Sequence, residues 1–185
     1  LPLLLGFSTL SYWLDKEGVS LATIGGLVSV STPYTLKFLW APVFDHVRPP
    51  VLLRRLGQRR GWLLALQLPL MASIVALGAG NPGDSLVYMA MTTVIMAFFS
   101  ASQDVVIDAY RIEILGNNEE EQGAGASTTQ VGYRVGLLVA GAGAIAFSDF
   151  ISWFWIYTIM ASFVLVGISA VFFGDEPQRA ETPAL

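Results

Sequence analysis

The sequence contains no cysteine and little charge. Without cysteine the chain can form no disulfide bond, no thiolate metal site and no cysteine nucleophile. Charged residues make up 13% of its 185 residues, whereas a soluble domain usually carries about 25%. Hydrophobic residues make up 54%, and the mean hydropathy is +0.61. This composition indicates a membrane protein.

Histidine is almost as scarce as cysteine. The one histidine, His46, falls in a predicted loop, so it is a poor candidate for a proton relay within the membrane. The net charge of −4 says little, because the position of each charge matters more than the sum in such a protein. We expect no metal, no cofactor and no nucleic-acid partner.

Apolar segments separated by polar and turn-forming residues predict an all-α membrane protein with six transmembrane helices. The predicted helices are residues 1–14, about 20–44, 61–79, 86–110, 123–147 and about 150–173. The first is too short to span, so we expect it to be truncated. Residues 1–173 would form the bundle, and residues 174–185 a cytoplasmic tail or the start of a linker. Three helices, followed by three that enter the membrane from the opposite side, would suit an inverted repeat.

Basic residues concentrate in the loops at one end of the predicted bundle. Five lie between the second and third helices: Arg48, Arg54, Arg55, Arg59 and Arg60. Arg111 and Arg179 fall in other loops on that side, and only Lys16 falls opposite. Loops rich in arginine and lysine stay in the cytoplasm. The pattern therefore predicts a lipid-embedded, multi-pass protein with both chain ends in the cytoplasm.

Four ionisable residues lie within the predicted spans: Lys37, Asp104, Asp108 and Arg134. Their formal charges sum to zero, and an unpaired charge in hydrocarbon is far more costly than a paired one. Asp104 and Asp108 are four residues apart, so a helix places both carboxylates on one face. One interpretation is a polar pathway, in which cations attract an anionic solute and an acid carries a proton. The alternative is a set of ion pairs that only holds the helices in register.

The loop that follows the second helix carries an acid and then paired arginines. Asp45, Arg59 and Arg60, in this order, resemble the loop between helices two and three of the major facilitator superfamily. In that superfamily the acid pairs with the end of a neighbouring helix and latches the cytoplasmic gate. We predict that these three residues, with Arg111, form such a gate. An ordinary basic loop that only fixes the orientation is the alternative.

Four motifs, in order along the chain, resemble those of the AmpG muropeptide permeases. They are residues 34–42 (YTLKFLWAP), 59–62 (RRGW), 102–111 (SQDVVIDAYR) and 132–136 (GYRVG). The resemblance implies a permease of the bacterial inner membrane with two six-helix halves, of which this chain resembles the first. It implies proton-driven import of N-acetylglucosamine-anhydromuramyl peptides for cell-wall recycling, linked to β-lactamase induction. Without the C-terminal half, we expect the chain to be inactive alone.

The resemblance also assigns roles to individual residues. Lys37 and Arg134 match the family's buried bases, and they would bind the anionic muropeptide together with Gln103 and Tyr133. Arginine suits this role because its fork can hold a carboxylate with two hydrogen bonds. Asp104 and Asp108 match the family's paired aspartates and would couple protons to transport. Of these two acids we favour Asp104, which lies deeper in the predicted membrane.

Three other functions compete with this interpretation. A carrier of acetyl-CoA or another anionic metabolite would need the same buried cations, and a membrane scaffold would need no transport at all. Asp104 and Asp108 also match half of the paired acidic motifs that hold Mg²⁺-diphosphate in membrane prenyltransferases. Because the spans contain no second acidic cluster, we expect no enzyme.

Overall fold

The computed structural model describes residues 2–28 and 32–177, and of residues 28 and 32 only the backbone. All regular elements of this part are helical. The predicted tail is described only to residue 177, so Arg179 lies outside the described residues. The division into a bundle at 1–173 and a tail stays a prediction.

Among the described residues, four helices are long and apolar enough to cross a membrane: α5 (Gln58–Gly78), α6 (Leu86–Leu115), α7 (Glu119–Phe147) and α8 (Trp153–Phe173). A π-helical turn, Leu138–Gly143, interrupts α7. These helices confirm the membrane character and the α-helical class. Six spans and the inverted repeat stay predictions, because the first two predicted helices are described as shorter pieces.

The first part of the chain consists of short helical pieces. A continuous run, α1, comprises Pro2–Leu4, a π-helical stretch Leu5–Thr9, and Leu10–Lys16. Next come α2 (Leu21–Val28), α3 (Thr32–Leu36) and α4 (Ala41–His46). A 3-10 turn, Lys37–Leu39, joins α3 to α4, and another, Val51–Leu56, precedes α5.

The interruption between α3 and α4 departs from the predicted continuous helix. Leu36 and Trp40 flank the 3-10 turn with ψ angles near zero, well away from the usual α-helical value of about −42°. Pro42, at the start of α4, has no N–H to donate to the carbonyl four residues earlier. The proline therefore ends the regular hydrogen bonding of the preceding turn, and this places Lys37 on an irregular segment.

Several boundaries also differ from the prediction. The third predicted helix begins at Gln58 rather than residue 61, directly after Gly57, whose φ of +99° is accessible mainly to glycine. The fourth continues past residue 110 to Leu115 and ends at Gly116, which also has positive φ. The fifth begins at Glu119, where the Asn118 side chain accepts hydrogen bonds from two backbone N–H groups.

Two hydrophobic clusters hold opposite ends of the bundle. The larger joins α1, α2 and α5 to α8, and includes Trp13, Ile74, Met89 and Tyr157. It lies towards the end where Lys16 and Asp149 form an exposed ion pair of 2.6 Å. The smaller joins α4, α5, α6 and α8 near Arg59. We refer to these as the Lys16 end and the Arg59 end.

Candidate functional site

A cavity of about 430 Å³ lies between the turn after α3 and helices α5 to α8. Five of the six residues predicted to bind substrate or protons line it: Lys37, Gln103, Asp104, Asp108 and Tyr133. The structure therefore brings together a cation, two acids, an amide and a phenol. Arg134 is not among the lining residues. It lies on an exposed part of α7, so its predicted role in binding stays a prediction.

One face of α6 supplies most of the polar lining. Ser100, Gln103, Asp104, Ile107 and Asp108 line the cavity at spacings of three and four residues, as expected for one face of a helix. The opposite face turns into the protein, where Ser102 and Val106 are fully buried. The burial of these small side chains fixes the rotation of α6 and so directs both acids towards the cavity.

Two hydrogen bonds attach the Lys37 segment to α6. The Tyr34 hydroxyl donates to Ser100 Oγ over 2.6 Å, and Trp40 Nε1 donates to Ser102 Oγ over 3.0 Å. These contacts flank Lys37 on both sides in sequence and position the irregular turn against the helix that carries the acids. Sequence reasoning assigned no role to Tyr34 or Trp40, although both lie in a motif that it singled out.

Hydrogen-bonding and charged groups of the cavity remain available to a ligand. Neither Lys37 nor Asp104 forms an ion pair within 4.0 Å in the part of the chain that is described. Asp108 has a longer contact of 3.6 Å with Arg111 Nη2, one helical turn away. Gln103 Oε1 is buried and accepts no hydrogen bond from any described residue. A buried acceptor without a partner is costly, so this atom favours a bound donor.

At the Arg59 end a second group of charges is closely paired. Arg59, whose side chain is only 7% exposed, donates from Nη1 to Asp45 over 2.7 Å and from Nε to both Glu113 oxygens over 3.0 Å. Its Nη2 also contacts Glu113. We name these three residues the Arg59 cluster. It joins the end of α4, the start of α5 and the end of α6.

The predicted gate residues divide between three places. Asp45 and Arg59 meet in the cluster. Arg60 instead donates to the backbone carbonyls of Val171 (2.7 Å) and Phe172 (3.2 Å) at the end of α8. Arg111 contacts Asp108, and its Nε is buried without a described partner. Sequence reasoning missed Glu113, because the predicted fourth helix ended at residue 110.

The segment after α8 closes over the start of α5. The Glu176 carboxylate accepts hydrogen bonds from the backbone N–H groups of Arg59 (2.8 Å) and Arg60 (3.1 Å). A carboxylate suits this position because the first N–H groups of a helix lack internal partners and carry partial positive charge. Tyr110 adds a hydrogen bond of 2.8 Å to the Asp175 carbonyl. We name the Glu176 contacts the Glu176 cap.

Comparison with known proteins finds similarity to membrane transporters. The model of the family described as acetyl-coenzyme A transporter 1 matches residues 1–82. The anhydromuropeptide permease of Escherichia coli K12 is 42% identical over 178 residues, which are 96% of this chain and 35% of that protein. A transporter named AmpG 1 from Rickettsia bellii is 36% identical over 86% of this chain and 38% of its own length.

The chain is therefore homologous to membrane transporters. Its long apolar helices are those of a multi-pass membrane protein. More particularly, the resemblance to the AmpG permeases is confirmed along nearly the whole chain. The match to the Escherichia coli permease lies in the N-terminal part of that protein. The chain spans little more than a third of the length of these relatives.

Proposed function

We propose that the protein containing this chain is a proton-coupled permease of the bacterial inner membrane that imports N-acetylglucosamine-anhydromuramyl peptides. In the cell this import would serve cell-wall recycling and β-lactamase induction. The observation that carries the proposal is the cavity in which Lys37 faces the same space as Asp104 and Asp108. The names of the relatives support the substrate.

The chemistry of the cavity suits such a solute. A muropeptide carries carboxylates, sugar hydroxyls and amides. Lys37 would bind a carboxylate, Gln103 Oε1 would accept a hydrogen bond from a hydroxyl or amide, and Tyr133 would pack against the sugar. Arg134 would contribute a second cation from the exposed face of α7, once the missing C-terminal six-helix half covers that face.

Asp104 would carry the proton. When the cavity is open to water, the carboxylate is well solvated and ionises. When the two halves close, loss of water favours its neutral form, while Lys37 nearby favours its charge. Alternation between these surroundings loads and releases a proton as the halves rock. Asp108, which contacts Arg111, would have the smaller part in this cycle.

The Arg59 cluster would act as the cytoplasmic gate. It joins α4, α5 and α6 at the end that bears the arginine-rich loop, and this charge distribution supports a cytoplasmic location for that end. An ion network of this kind has discrete made and broken states, which suits a gate between two conformations. Both ends of this chain would then lie in the cytoplasm.

A carrier of acetyl-CoA is the second candidate, and the family match over residues 1–82 favours it. Uptake by membrane vesicles that contain the full-length protein separates the two. We expect labelled anhydromuropeptide to accumulate when the proton gradient directs protons inward with the substrate, and acetyl-CoA to remain outside. Accumulation of acetyl-CoA without muropeptide uptake would contradict the proposal.

A further inference from the structure

Five arginines lie in the loop between α4 and α5 and in the first turn of α5, and they are of two kinds. Arg59 and Arg60 donate to groups of the protein, as described above. The other three, Arg48, Arg54 and Arg55, are exposed. None of these three lies within 4.0 Å of a carboxylate in the described residues. The loop therefore carries three positive charges that its own fold does not neutralise.

Two of the exposed arginines converge on a recess. Arg48 and Arg54, with Pro49, Gly57 and Gln58, line a space of about 250 Å³. Arg54 Nε donates to the Pro49 carbonyl over 3.2 Å, which fixes the orientation of its guanidinium. Its Nη1 and Nη2 have no partner among the described residues, so they remain available to an anion. Arg55 does not line this recess.

The walls of the recess are held in place. Gln58 Nε2 donates to the backbone carbonyls of Phe44 (3.0 Å) and Val47 (2.6 Å), which ties the start of α5 to the end of α4. A recess with fixed walls and two guanidinium groups can bind a phosphate oxygen pair without reordering the loop.

Exposed apolar side chains lie between the two arginines in sequence. Val51 and Leu52 are 71% and 91% exposed, at the start of the 3-10 turn Val51–Leu56. This segment lies at the end of a membrane-spanning helix. Its arginines suit the lipid headgroups, and its exposed aliphatic side chains suit the acyl chains beside them.

We propose that this recess binds the phosphate of an anionic phospholipid, held between Arg48 and Arg54, while Val51 and Leu52 enter the acyl region beside it. The site is separate from the transport cavity, with which it shares no lining residue. It does not depend on which solute the protein carries.

Native mass spectrometry of the detergent-solubilised full-length protein tests this site, with phosphatidylglycerol as the added lipid. A basic residue near an anionic surface contributes on the order of fivefold in affinity. We therefore expect Arg54→Gln to weaken phosphatidylglycerol binding by about fivefold or more, because it removes a guanidinium from the recess. Arg54→Lys keeps the charge and should retain more binding than Arg54→Gln.

Arg55→Gln is the matched control, since it removes the same charge from the adjacent position outside the recess. We expect it to change binding by less than about twofold. If Arg54→Gln and Arg55→Gln weakened phosphatidylglycerol binding equally, the lipid would be attracted to the charge of the loop as a whole, and the proposed site would be wrong. Equal binding of phosphatidylcholine, or displacement of the lipid by inorganic phosphate, would also overturn it.

Discussion

The same helix supplies acids to two regions that treat charge differently. At the Arg59 end, Glu113 of α6 joins Asp45 around one nearly buried guanidinium, and each partner is hydrogen-bonded. Along the cavity, Asp104 of α6 has no ion pair within 4.0 Å in the described part of the chain. The first region uses its charges to join helices, whereas the second leaves Lys37 and Asp104 without an ion pair among the described residues.

We expect this difference to separate the charges that stabilise the fold from those that serve transport. A buried charge that loses its partner is strongly destabilising, so satisfied networks reveal themselves through the stability of variants. A charge without a protein partner contributes little to stability, and its removal changes activity instead.

Asp104→Asn should abolish proton-driven accumulation of muropeptide, because an amide cannot take up and release the proton. Substrate exchange across vesicles without a gradient should persist, and the thermal unfolding temperature of the full-length protein should be unchanged, since no ion pair is lost. Asp108→Asn, at the acid that contacts Arg111, is the control and should reduce accumulation less. Full accumulation by Asp104→Asn would limit that acid to a structural role.

Arg59→Ala should lower the free energy of unfolding by about 3 kcal/mol, because it leaves two carboxylates without their shared cation. This estimate is at the low end for a buried network, since the side chains of Asp45 and Glu113 are 48% and 29% exposed. Chemical denaturation of the purified full-length protein measures the change. Arg59→Lys keeps the positive charge but not the forked guanidinium, so it should lower the free energy of unfolding by less. Wild-type stability of Arg59→Ala would show that the cluster does not join the helices.

Glu176→Ala should lower the free energy of unfolding by about 1 kcal/mol, the usual effect of losing a helix cap with favourable charge. Denaturation under the same conditions measures it. Asp175→Ala is the neighbouring control, because only its backbone carbonyl is hydrogen-bonded, and that bond survives the substitution. If both variants were equally destabilised, the Glu176 cap would contribute nothing specific.

Lys16→Gln should leave stability unchanged within error at neutral pH, because its ion pair with Asp149 is exposed and solvent screens it. The hydrogen bond to Asp149 raises the pKa of Lys16. Any stabilisation by this pair is therefore present below the ordinary lysine pKa and is lost as the pH rises through the folded-state value. A clear loss of stability in Lys16→Gln at pH 7 would show that exposure is a poor guide to the strength of these pairs.

The sequence predicted the cavity better than it predicted the Arg59 end. The spacing of Asp104 and Asp108 requires one helix face, and helical geometry alone brings Gln103 near that face. Glu113 was missed because no residue before Gly116 ends α6, so the helix runs a further turn beyond the predicted boundary. The Glu176 cap joins residues more than a hundred positions apart, and no local pattern contains that information.

Two features of the membrane-spanning part differ from the expectation: the interruption of the second predicted helix and the position of Arg134. The second predicted helix is interrupted at residues 37–40, and Pro42 explains the interruption. Arg134 was expected to converge with Lys37 and the acids, yet it does not line their cavity. A formal charge inside an apolar segment indicates that a partner is needed, but it does not say which part of the protein provides it.

We propose that the cavity beside α6 receives the transported solute. Thr128 and Thr129 are neighbours on α7 and both are exposed, but only Thr129 lines the cavity. Thiol labelling of Thr129→Cys and Thr128→Cys, each in an otherwise cysteine-free full-length protein, should be compared with and without anhydromuropeptide. We predict that the substrate slows labelling at position 129 and leaves position 128 unaffected. Equal labelling rates at position 129 with and without substrate, at saturating concentration, would contradict the account.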